Sequence, residues 1–208
     1  MSSVPVGLIS WRRWACLVFV LIGLMVLSAC WVESINGLDE GDLLGPADRD
    51  RVFEPALLGK WAMQEDKCTV TISIIGDKNE YVWRETREGH DCGDSGGETE
   101  IYYRSTLYKL DGHLFLDLTA RPEDVCDVCR AMHEIFLVQI GKDSVTFAPI
   151  DSEWLGKAVK AKTVTLATLA NNTDTITATP KELKGFCRQY ADNKEVFKPE
   201  PEFILKRK

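Results

Sequence analysis

The chain has 208 residues, 45% of them hydrophobic and 27% charged, enough for one ordinary globular domain with a real core and too apolar for a disordered chain. Its formal net charge is -7, and Arg12 and Arg13 are the only charged side chains before residue 30, so the remainder is more acidic still. Such a surface repels phosphate backbones, which argues against nucleic-acid binding driven by Lys and Arg.

Residues Met1 to Arg13 carry two arginines and no acid, and Trp14 to Ala29 (WACLVFVLIGLMVLSA) is an unbroken run of 16 apolar or small residues. About 20 residues are needed to cross a hydrocarbon core, whereas a secretory signal has a charged start, a shorter apolar centre and small residues at its end. The run closes on Leu27-Ser28-Ala29-Cys30, which resembles the lipobox of bacterial lipoprotein signal peptides. The resemblance implies that residues 1–29 are removed and that Cys30, bearing diacylglycerol, becomes the first residue of a membrane-anchored chain. Small side chains at Ser28 and Ala29 leave the backbone open to a peptidase, and the Cys30 thiol is the one good nucleophile there for an alkyl transfer. The alternative is an uncleaved anchor. Ser10-Trp11-Arg12-Arg13-Trp14 fits a twin-arginine signal poorly, so general secretion is the expected route. Trp31 rather than an aspartate follows the cysteine, which favours the outer membrane, facing the periplasm, over retention in the inner membrane.

Glu33 to Glu54 has seven acids, two arginines, three glycines and one proline without a sustained apolar period, the composition of a solvated tether. The expected organisation is thus a signal over 1–29, an acidic linker over 30–54 and a domain over 55–208.

From Leu57 the apolar pattern has period two. Val70, Ile72 and Ile74 alternate with Thr69, Thr71 and Ser73, the stretch Gly76 to Asn79 supplies turn residues, and Tyr81, Trp83 and Glu85 alternate with Val82, Arg84 and Thr86, a hairpin signal. Ile101–Leu110, His113–Thr119, Glu134–Ile140 and Ser144–Ala148 repeat it. Helices are predicted late, a short one over Ser152–Lys160 and a second over Pro180–Tyr190, where Thr179 and Glu182 form a capping box with Pro180 at the first helical position. Glu202–Lys206 reads as a closing strand. Together these predict a mainly β fold, an antiparallel barrel or sandwich of roughly eight to ten strands with one or two short helices near the C-terminus.

Gly59-Lys60-Trp61 opens the first strand and is similar to the lipocalin and calycin signature, in which the tryptophan closes the barrel floor and stacks with a basic side chain from a late strand. The resemblance implies that role for Trp61, with Arg207 or Lys206 as its partner. The alternative is a core tryptophan at a strand start. More broadly, GHLFLDL, EIFLVQIGKDSVTFAPIDSEWLGK and ITATPKELKGF resemble segments of an uncharacterised bacterial family with lipocalin-like architecture, which implies a fold and no activity.

Chemistry-bearing motifs are sparse. His133-Glu134 begins like HExxH but lacks the second histidine, and there is no phosphate loop, nucleophile elbow or dinucleotide fingerprint. Asp91 and Asp94 in GHDCGDSGG lack calcium-loop spacing. Asp117, amid leucines on the face of Phe115, points either into a cavity or to water. Beyond Cys30 stand Cys68, Cys92, Cys126, Cys129 and Cys187. Cys187 shares a helix face with Leu183, Phe186 and Tyr190 and is expected in the core. In an exported protein the other four are candidates for two local disulfides, Cys68 with Cys92 and Cys126 with Cys129, with a four-cysteine zinc site as the rival. Two classes of function follow. One is a non-enzymatic binding or interaction lipoprotein, anchored through its lipid and taking a small apolar ligand or a protein partner, without catalytic residues or cofactor. The other is a metal-handling or thiol-redox protein, or an enzyme, using Cys126, Cys129 and His133.

Overall fold

In the computed structural model, which describes residues 32–39, 48–65, 68–76, 80–89, 99–120, 132–200 and 203–208, the alternating segments become strands because period two gives each one an apolar face to bury. In chain order these are β1 (Glu33–Ser34), β2 (Arg51–Val52), β3 (Gly59–Glu65), β4 (Cys68–Gly76), β5 (Tyr81–Gly89), β6 (Thr99–Leu110), β7 (His113–Ala120), β8 (His133–Ile140), β9 (Ser144–Pro149), β10 (Thr168–Leu169), β11 (Asn172–Ile176) and β12 (Ile204–Arg207). A 3-10 turn covers Pro55–Leu57, and the helices are α1 (Ser152–Lys160) and α2 (Pro180–Tyr190).

Strands β3 to β9 pair antiparallel, each with the next. β12 then pairs with both β9 and β3, which closes an eight-stranded, lipocalin-like barrel and removes its edges. The two sides of the wall build two cores. Inward side chains such as Trp61, Ile72, Trp83, Leu107, Leu116, Phe136 and Val145 fill the barrel. Outward ones, among them Tyr108, Phe115, Ile135 and Leu137, meet Leu155 of α1 and Leu183, Phe186 and Cys187 of α2.

α2 begins where its caps predict: the Thr179 side chain accepts from the Glu182 N–H and the Glu182 carboxylate accepts from the Thr179 N–H. Cys187 is fully buried on its inner face, and burial pushes its thiol well above the ordinary range.

The described parts of the acidic stretch, 32–39 and 48–54, are not a free tether. β1 pairs antiparallel with β8 and parallel with β11, and β2 pairs with β6. Lys184 of α2, only 1% exposed, donates to Asp48 at 2.5 Å and Asp50 at 3.0 Å, and Arg188 reaches Asp50 at 2.9 Å. The compact unit accordingly runs from Trp31 to Lys208. Composition registers these acids as solvating; charge-assisted bonds to cations more than 130 residues away make them anchors.

Candidate functional site

One end of the barrel is closed. Trp61, near the start of β3, is fully buried, and its indole N–H donates to the Leu57 carbonyl at 2.9 Å. Register places Arg207 of β12 directly opposite Trp61, so its guanidinium lies 4.3 Å from the ring centroid. Its Nη1 and Nη2 donate to the carbonyls of Leu58 and Ala56 at 3.2 and 2.8 Å. The plane and fork of Arg207 thereby lock the 3-10 turn over the end of the barrel. Of the two basic residues suggested as partner, Arg207 is the one that stacks. Gly59 has φ 128, and a Cβ there would lie 3.1 Å from Arg207 Nη1, which explains the glycine of Gly-x-Trp twice over.

Towards the other end the interior opens into a cavity of about 180 Å³. The ends of β3, β5 and β7 and the starts of β4, β6 and β8 lie around this end. Its wall is largely apolar and aromatic, including Trp83, Tyr103, Phe136 and Phe147, and carries three charged residues, Glu85, Arg87 and Glu134. Trp83 is held by its N–H, which donates to Ser105 Oγ at 2.8 Å, and by an edge contact with Phe147. Glu85 and Arg87 are two apart on β5 and so share the inner face. Glu85 is buried and accepts from Arg87 Nε at 2.5 Å.

Glu134, on β8, points to the same interior as Phe136 and has no hydrogen-bond or ion-pair partner among the described residues. Burial, and then the nearby charge of Glu33, push its carboxyl up to about 7. Burial likewise raises the Tyr103 phenol to about 12, with the charges of Glu85 and Glu134 adding to it. Two carboxylates therefore face one guanidinium inside an aromatic wall. The sequence carries the signal for this trio: continuing the period-two alternation from Trp83 puts Glu85 and Arg87 on its face, and stepping back from Phe136 reaches Glu134.

A second polar arrangement lies on the outer wall. Asp117, expected to face a cavity or water, does neither, because the segment 32–39 covers it. Its Oδ2 accepts from the Leu38 N–H at 2.7 Å and its Oδ1 from His133 Nδ1 at 2.7 Å, with Thr119 Oγ1 3.2 Å from the same nitrogen. Ser34 stands opposite His133 in the β1–β8 register, yet its buried Oγ has no hydrogen-bond partner, so no proton relay joins serine to histidine. One oxygen of Asp117 thus holds the strap and the other holds His133.

The other candidates are placed only in part. Cys30, Cys92, Cys126 and Cys129 lie outside the described residues, as do Asp91 and Asp94. Cys68 opens β4 with its backbone in register with Glu65 and Gly89. Among the described residues no group of three or more His, Cys, Asp or Glu side chains is arranged to hold a metal, and no helix is long and apolar enough to cross a membrane. No family model, curated protein or solved structure matches the chain.

Proposed function

We propose that this chain is an exported, lipid-anchored, non-enzymatic binding protein whose barrel takes a small, largely apolar ligand through the end opposite the Trp61 floor. The observation that carries the reading is the aromatic cavity of about 180 Å³ above a sealed floor. Concave apolar pockets with a few placed polar groups are where small molecules bind. The anchor rests on the resemblance of LSAC to a lipobox, and with it the placement in the cell envelope, at the outer membrane facing the periplasm. The alternative, metal or thiol chemistry at Cys126, Cys129 and His133, asks His133 to give up the Asp117 carboxylate.

The test has two arms. The chain, isolated from membranes in detergent-free polymer discs, should release a stoichiometric small molecule on organic extraction or accept one in native mass spectrometry. Replacing Cys30 by alanine should move it from the membrane fraction to the soluble fraction. A protein that neither carries nor accepts any small molecule, or one that releases stoichiometric zinc, would overturn the binding reading, and membrane association that survives Cys30→Ala with the signal removed would overturn the anchor.

A further inference from the structure

We infer that the cavity selects an organic cation, a small ligand with an ammonium group on an apolar body. The inference deepens the binding role proposed above and rests on it.

Charge is the first ground. Arg87 is committed to Glu85 at 2.5 Å, while Glu134 has no counter-charge among the described residues. An entering carboxylate or phosphate would meet two acids and one engaged guanidinium, whereas an ammonium would supply the missing positive charge and donate to Glu134. Wall chemistry is the second ground. Trp83, Tyr103, Phe136 and Phe147 turn ring surfaces or edges to the same space, and ring faces attract ammonium groups, more strongly where water is excluded. Size is the third. About 180 Å³ exceeds slightly the roughly 150 Å³ that accepts benzene in an engineered apolar core, so a one-ring amine fits. The raised carboxyl of Glu134 agrees with this: the site holds an acid whose ionised form is under-stabilised until a cation arrives.

Proton and ligand should then compete for Glu134. Of the groups around it, Glu33 from β1 bears on its charge, Glu85 and Arg87 from β5 and Tyr103 from β6 line the same cavity, and burial holds the Tyr103 phenol at about 12, far from neutrality.

Three one-ring probes of nearly equal size, benzylammonium, benzyl alcohol and benzoate, separate the possibilities by calorimetry on the full chain in detergent-free discs. At about pH 8 benzylammonium should bind at least roughly tenfold more tightly than benzyl alcohol, and benzoate least. The amine keeps its charge down to about pH 5.5, so a loss of affinity there, on the order of tenfold, reports protonation of Glu134. Glu134→Gln should abolish both the preference for the amine over the alcohol and the pH dependence. If the alcohol or benzoate binds as tightly as the amine, the cation inference fails and the binding role stands. If none of the three binds and no small molecule co-purifies, both fail. The wild-type series decides the question by itself should the variant fold poorly.

Discussion

Glu134 illustrates how a single residue can be kept at a thermodynamic cost. Its carboxyl titrates at about 7 in the folded chain against roughly 4.3 when unfolded. Below the unfolded value both states are protonated and the group is neutral to stability. As pH rises between the two values the unfolded chain ionises first, so stability falls, and above 7 the full penalty applies. Glu134→Gln is therefore expected to stabilise the protein at about pH 8, by roughly 1 to 2 kcal/mol after allowance for partial exposure, with the gain shrinking as pH falls to about 4.5. Urea unfolding across that range checks it, and a gain that grows on acidification would refute the assignment. Arg207 shows the opposite economy, since one side chain seals the floor by stacking and by two hydrogen bonds. Arg207→Lys keeps the charge but loses the plane and the fork, and should cost about 1 to 2 kcal/mol in the same experiment. The role of Trp61 was legible because a sequence signature carries it; choosing Arg207 over Lys206 needed the β12–β3 register.

At the scale of elements, the strands were read closely because each has one face against a core, and their turns fall where Asp111-Gly112 and Gly141 to Asp143 stand. Both helices match their predicted bounds, Ser152–Lys160 and Pro180–Tyr190, since caps are local chemistry. The strap 32–39 escaped, because what holds it is distant in sequence: Asp117 and His133 accept an approach that only Gly37 permits. A Cβ at Gly37 would overlap Asp117 Oδ2 and lie 2.7 Å from His133 Nδ1. Gly37→Ala should accordingly lift the strap, cost about 2 kcal/mol and abolish hydrogen-exchange protection at the Leu38 amide while the barrel amides stay protected. Unchanged protection at Leu38 would show that the strap is not held by this contact.

For the whole molecule, the cysteines test the exported setting. Cys187 is sealed between α2 and the outer wall, so in the native protein it should react with thiol reagents only at the rate of unfolding. Thiol counting on the unfolded, unreduced mature chain should find Cys187 as the one free cysteine apart from Cys30, with Cys68, Cys92, Cys126 and Cys129 oxidised. Four or five free thiols accompanied by zinc would favour the metal-handling alternative.

What the sequence determined by itself is the fold class: period two, turn residues and helix caps act within a few residues of one another, and together they specify short antiparallel strands and two late helices. What only the tertiary structure decided is which charges come together. Closing the barrel through β12 turned an ordinary-looking Glu85, Arg87 and Glu134 into the polar part of a cavity, and folding the segments 32–39 and 48–54 back onto the wall turned expected tether acids into anchors. A charge has its meaning from what stands within a few ångströms of it, and here those neighbours come from strands and segments tens of residues apart.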